Sequence, residues 1–374
     1  MADRRLAGGG GHSRNSQRAE HMKVWRRTGI SPEDALAGES PAPACPRRDA
    51  GSQQDSQQAG QRRNSQPIGH IRPWIEALRL RTLPLSLAGA IIASGCAVSY
   101  NSFRPEVCAL LVLTVLLLQV LSNFADEYGD LQKGADNDAR IGPVRAMQRG
   151  EISFSQMRRA LIALAFVTFA SGIALVLVAL GLDPLLLGVF LALGVLVLFA
   201  AIGYTVGKRA YGYYGLGDAF CLLCFGWLAV CGGFFLYAHY LTVPVALAAT
   251  GVGLLVVGVL NLNNMRDRLT DADAGKKTLV VRIGARAARV YHSVLLLGGF
   301  ALLAWAMTLL ALPQRYALIQ IPVFLLGLIP LGLNLKATLA VREPKDYDRL
   351  MRPLALLIIL LSLAFALLVS ISPW

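Results

Sequence analysis

The feature that most constrains this chain is a series of apolar runs that begins at Leu83 and continues almost to its end. A bilayer's hydrocarbon core is about 30 Å thick and a helix rises about 1.5 Å per residue, so roughly 20 apolar residues span it. Nine such runs fall at about 83–100, 106–125, 160–180, 185–203, 218–237, 242–262, 290–310, 316–335 and 353–372. Backbone polar groups in lipid must be satisfied internally, and for runs of this length that means helices. The expectation is an all-α membrane protein, a bundle of nine transmembrane helices embedded in a lipid bilayer. With 55% hydrophobic and 16% charged residues, the 374-residue chain is too apolar for a soluble domain of its size.

Residues 1–70 are a different material. Gly8 to Gly11 is an unbroken glycine run, and Ser, Gln, Arg and Pro are frequent in the rest. Such a segment cannot bury enough apolar surface to offset its ordering entropy, so it reads as a disordered basic tail, with the transmembrane domain at 71–374. It has no apolar h-region and is not a secretory signal. Its basic residues lack interleaved aromatics or a fold motif, so nothing points to a nucleic-acid partner. Lys and Arg concentrate before the first run and in the loops after the second, fourth, sixth and eighth, while Arg104 and Arg315 stand alone on the other side. That bias places the N-terminus in the cytoplasm.

Three polar stretches follow even-numbered runs, all on the same expected side. In the first, residues 123–153, Asp126 and Asp130 are four apart, so a helix continued through this point projects both from one face about one turn apart. Asp136 lies beyond Gly134, where the helix can break and turn back. The second, residues 261–286, repeats the spacing with Asn263, Asp267 and Asp271, then Gly275 and the pair Lys276 and Lys277. Converging carboxylates at the mouth of a membrane helix repel one another unless a cation sits between them, and oxygen clusters of this kind suit Mg²⁺. Read singly, an acidic loop only keeps a helix end wet. Two with matched spacing read as one metal-diphosphate site.

The third stretch, residues 203–218, offers Tyr204, Lys208, Arg209, Tyr211, Tyr213 and Tyr214 among glycines that let backbone approach a ligand. Lys and Arg suit diphosphate oxygens, and Tyr204 and Lys208 are taken as substrate-binding. Tyr213 and Tyr214 read as interfacial anchors. Cys221 and Cys224 have CxxC spacing but lie inside an apolar run with no second pair, so they are expected at a helix contact rather than on a metal.

These stretches resemble the paired aspartate motifs of the UbiA-type intramembrane prenyltransferases. The carrying residues are YGDLQKGADNDARIGPVRAMQRG, YTVGKRAYGYYGLGD and NLNNMRDRLTDADAGKKTLVVRIG, with RLRTLP from Arg79 to Pro84 ahead of the first run. The Asp-Ala-Arg-Ile-Gly-Pro-Val-Arg and Asn-Asn-Met-Arg-Asp runs narrow the resemblance to the 1,4-dihydroxy-2-naphthoate polyprenyltransferases of menaquinone synthesis. It implies a UbiA-like fold of nine helices whose central cavity is capped on the cytoplasmic side by loops, in a bacterial inner membrane. It also implies Mg²⁺-dependent transfer from a polyprenyl diphosphate to 1,4-dihydroxy-2-naphthoate. Carried over, Asp126, Asp130, Asp267 and Asp271 are the catalytic carboxylates, and together with Asp136 and Asn263 they form the expected metal set. Lys133, Arg140, Arg145, Lys208, Arg266 and Lys276 are expected on phosphate oxygens or on the acceptor's carboxylate.

The chain departs from the family pattern in two places. Asp126-Glu127-Tyr128 stands where Asn-Asp-Tyr is usual, and Lys208 and Ala210 replace Asn and Pro. Another aromatic acceptor, 4-hydroxybenzoate or homogentisate, is the alternative within the superfamily. Outside it, paired acidic helix ends also suit an ion-coupled transporter, although carboxylates at span ends rather than at the midplane weigh against that reading.

Overall fold

A computed structural model describes residues 71–136, 140–207, 209–311 and 316–371. Two sequence expectations, the tail at 1–70 and the role of Lys208, lie outside the described residues. Within them the chain is entirely helical. Eight helices are long and apolar enough to cross a membrane, and the shorter apolar helix Leu83–Ser99 makes a ninth.

A short surface helix, α1 (Ile71–Ala77), precedes α2 (Leu83–Ser99) and α3 (Pro105–Gln132). There follow α4 (Phe154–Leu180), α5 (Pro184–Gly203), α6 (Gly217–Ala238) and α7 (Val243–Asp273). The next span, α8 (Leu279–Ala311), is kinked at Gly284. The following one is split into α9 (Ala317–Leu325) and α10 (Leu328–Ala340), and α11 (Asp348–Ser370) closes the bundle.

Local chemistry sets the ends. Ser153 and Gln156 form a reciprocal capping box at the start of α4, and Asp183 accepts from the Leu186 amide at the start of α5. The two acidic helices run further than hydropathy alone suggests. α3 continues to residue 132 and α7 to residue 273, and each then ends at a glycine with positive φ, Gly134 at 73° and Gly275 at 72°. Asp126, Asp130, Asn263, Asp267 and Asp271 are therefore on helices, while Asp136 lies past Gly134.

The helices approach closely where side chains are absent. A Cβ on Gly95 of α2 would stand 2.5 Å from Ala366 of α11, and one on Gly251 of α7 or Gly299 of α8 would stand 2.8 Å from the other's carbonyl oxygen. The pair α7 with α8 makes the most extensive contact in the bundle, followed by α6 with α7 and α2 with α11. Two apolar cores result. The larger unites α2, α6, α7, α8 and α11, while the smaller holds Leu121, Phe124 and Ala125 of α3 against Ala146, Met147 and Ile152 of the following loop. Along α6, the stretch Leu222–Gly232 winds as a π-helix, wider than an α-helix, and presents Cys224, Phe225 and Leu228 to the central cavity.

Overpacking a tight helix contact costs about 1–3 kcal/mol. Gly95→Leu is expected to lower the thermal unfolding midpoint of the purified protein by several degrees. Gly188→Leu on the outer face of α5, where an added Cβ meets nothing within 4 Å, is expected to leave it unchanged.

Candidate active site

A central cavity of about 930 Å³ opens at the end of the bundle where α3 and α7 overrun their apolar segments. Its depth is apolar, with Leu111, Val115, Phe169, Ile173, Phe190 and Leu228 on its wall. Its mouth is charged: Asp126 and Asp130 from α3 and Asn263, Asp267 and Asp271 from α7 all line it.

Lys276 joins the two acidic helices. Its Nζ stands 3.9 Å from Asp130 Oδ1 and 3.8 Å from Asp271 Oδ1. Burial pulls the Lys276 pKa down, but those two carboxylates outweigh burial and hold it above the ordinary lysine value, so the ammonium stays charged. Asp130, only 4% exposed, also accepts from Tyr213 Oη at 3.0 Å and pairs with Arg145 Nη2 at 3.4 Å. Burial and the Asp130 carboxylate both push the Tyr213 hydroxyl well up, so it remains a donor at neutral pH.

Asp136 folds back beyond Gly134, as its position after a helix-breaking glycine implies. It pairs with Arg140 and lies 3.0 Å from Arg145 Nη1, an ion pair rather than an aligned hydrogen bond. Burial lowers the Arg140 pKa. Arg145 differs: burial opposes its charge, but Asp130 and Asp136 together raise its pKa. Asp126 accepts from Arg79 Nη1 at 3.2 Å. Burial, and after it the nearby Arg145 charge, lowers Arg79 to about 10, which still leaves it cationic at neutral pH.

Arg266 takes a different place from the other cations. At 1% exposure it is the largest fully buried side chain and sits behind the wall of the cavity. Its guanidinium grips Asp267 with two bonds of 2.7 and 2.6 Å, reaches Asn263 Oδ1 at 2.9 Å, and bonds Asp348 of α11 at 2.5 Å. Gly142 lies against it, where a Cβ would stand 2.9 Å from Nη2. Lys133 is at the rim, its Nζ 4.1 Å from the centroid of the Tyr213 ring. Tyr204 lines the cavity, clamped between Gly212 and Gly217. The loop carrying it is tied to α3 by Thr205 Oγ1, which donates to the Ala125 carbonyl at 2.9 Å, and to the loop after α7 by the Lys277 amide, which donates to Tyr213 O at 3.0 Å.

The described members of the sequence-derived set thus converge on one mouth or its rim, with Arg266 in support behind it. Sequence reasoning did not assign Arg79, Glu127, Tyr213 or Asp348. Glu127, 2% exposed, accepts from the Met147 amide at 2.8 Å and holds the loop after α3. Only the RLRTLP run carried a signal for Arg79.

Residues 83–352 match the UbiA prenyltransferase family. The chain belongs to this family. Among its relatives, "1,4-dihydroxy-2-naphthoate octaprenyltransferase" of Escherichia coli is 46% identical over 64% of this chain and 77% of its own length. The protein of the same name from Haemophilus influenzae is 45% identical over 60% of this chain and 74% of its own. The fold matches that of a UbiA homolog from Archaeoglobus fulgidus, solved bound to DMAPP and Mg²⁺, with a TM-score of 0.53 at 16% identity over 80% of this chain and 99% of that one.

The donor set of this UbiA-family chain fits a hard cation. Asp126 Oδ1 is buried without a hydrogen-bond partner, and the mouth is lined by oxygen ligands. Among the described residues no three His, Cys, Asp or Glu side chains form a ready-made metal cage. Mg²⁺ commonly binds through one or two carboxylates together with substrate phosphates, so such a cage is not needed.

Removing one partner of a buried ion pair costs about 3–5 kcal/mol. Arg145→Met leaves Asp130 and Asp136 short of a cation and is expected to lower the unfolding midpoint markedly. Arg158→Ala, at an exposed position on α4, is expected to be silent in the same melt.

Proposed function

We propose that this prenyltransferase moves a polyprenyl group from its diphosphate to 1,4-dihydroxy-2-naphthoate with loss of the ring carboxyl, giving a demethylmenaquinol, the reduced form of a demethylmenaquinone. The observation that carries the reading is the Lys276 bridge, which draws two acidic helices together over an apolar cavity. The names of the relatives at 45–46% identity supply the acceptor.

In this reading Asp126 and Asp130 on one side and Asp267 and Asp271 on the other would hold Mg²⁺, with Asp136 and Asn263 completing the set. When bound, the metal would neutralise charge that builds on the leaving diphosphate. The allylic carbon–oxygen bond breaks with its electron pair leaving on the diphosphate. Lys276, Arg145 and Arg140 stand at the mouth as fixed cations that favour this separation. The ring's π electrons form the new carbon–carbon bond, and departure of the carboxyl as carbon dioxide restores the aromatic ring.

The apolar wall excludes water from the allylic cation and houses the isoprenoid tail. Tyr213 orients Asp130 and keeps its proton. Arg266 fixes the geometry of Asp267 and Asn263 from behind, and Tyr204 closes the wall under the loop. Lys133 and Lys208 belong to the diphosphate's approach in this reading. We place the site on the cytoplasmic face of a bacterial inner membrane, where the excess of Lys and Arg puts it.

Membranes from expressing cells, supplied with 1,4-dihydroxy-2-naphthoate, a polyprenyl diphosphate and Mg²⁺, are expected to yield a prenylated naphthoquinol, detected by mass as the naphthoquinone after oxidation by air. Chelating the metal is expected to abolish it. Asp130→Asn and Asp267→Asn are each expected to lower turnover by about three powers of ten, on the scale of losing a principal electrostatic contact. A product formed only with 4-hydroxybenzoate or homogentisate would overturn the acceptor. No transfer to any of the three would overturn the reaction.

A further inference from the structure

A second groove lies on the outside of the bundle, away from the central cavity. It holds about 580 Å³ between α8 and α10 and is lined by Val290, Val294 and Leu297 from one helix and Leu339 from the other, with Arg286 and Arg289 at its head. Arg286 is in the first turn after the kink at Gly284, so the head of the groove lies at the membrane boundary on the side of the acidic mouth. From Arg286 to Leu297 the helix descends about 16 Å, the depth of one leaflet's hydrocarbon.

The charge at that head is uncompensated. Arg289 is anchored, donating to the Val341 carbonyl at 2.8 Å and to Tyr347 Oη at 3.1 Å. This anchor sets Val341, just past the end of α10, beside Arg289, and the exposed Arg342 follows it directly in the chain. Among the described residues no carboxylate pairs with Arg286 or Arg342. The nearby acids are engaged elsewhere, Glu343 with Lys345 at 2.7 Å and Asp346 with Arg349 at 3.7 Å. Lysines and arginines at a span end often only snorkel into the headgroup layer. Here they crown a leaflet-deep apolar groove, the form a lipid-binding pocket between helices takes.

We propose that this groove is a binding site for one anionic phospholipid, its phosphate held at the head by Arg286 together with the neighbouring Arg342 and one acyl chain lying along α8. Gly298 lines the groove and has open space beyond its Cα, so a side chain added there would occupy the acyl path without altering charge.

The test is native mass spectrometry of the full chain, delipidated in detergent and titrated with phosphatidylglycerol or phosphatidylcholine. One phosphatidylglycerol is expected to be retained more tightly than phosphatidylcholine. Arg286→Ala with Arg342→Ala should weaken it by about fivefold per charge removed, and Gly298→Leu should weaken it several-fold. Arg158→Ala with Arg159→Ala, exposed basic residues on α4, should leave it unchanged. Equal retention of the two lipids, equal losses at both basic pairs, or full retention by Gly298→Leu would each overturn the site.

Discussion

Carboxylates buried at the edge of a membrane must be neutralised, and nearly everything at the mouth of this bundle follows from that requirement. Ionised groups removed from water lose several kcal/mol of solvation each unless an opposite charge and hydrogen bonds replace it. The chain supplies Arg79 for Asp126, Arg145 and Lys276 for Asp130, Arg140 for Asp136 and Arg266 for Asp267. These cations come from segments far apart in sequence, so the ion pairs close the mouth as a unit. Apart from Arg266, which lies behind the wall, these cations stand at the mouth where the proposed diphosphate would sit, so they serve stability and the proposed chemistry together.

The support for this arrangement is apolar and lies deeper. The smaller core fixes α3 against the loop that carries Arg145, and the larger one fixes α7 against α8 through the Gly251 and Gly299 contact. Asp348, at the start of α11, accepts from Arg266 and lies 3.7 Å from Arg81 ahead of α2. The first and last spans are in this way tied to the second acidic helix beside Asp267.

Much of this was legible in the sequence because the signals are local. Hydropathy summed over twenty residues reveals the spans, and a four-residue spacing places Asp126 with Asp130 and Asp267 with Asp271 on helix faces. Hydropathy falters at residues 125 and 262, yet the helices continue to 132 and 273, because the glycines that stop them come later. Tyr213 reads as an interfacial anchor, since its bond to Asp130 depends on a loop returning across 83 residues. Arg266 reads as a free phosphate ligand because its partner Asp348 is 82 positions away on another span. Pairings of this range are set by packing, which no local pattern encodes.

In the proposed reading, α3 and α7 form one metal-diphosphate site rather than two separate acidic ends. The most direct measurement is a crystal structure with Mn²⁺ replacing Mg²⁺ and an unreactive polyprenyl thiodiphosphate, read by anomalous scattering. Metal peaks between the Asp126 and Asp130 pair and the Asp267 and Asp271 pair, in contact with the diphosphate, are the expected result. A diphosphate bound with metal at only one helix, or with none, would contradict it.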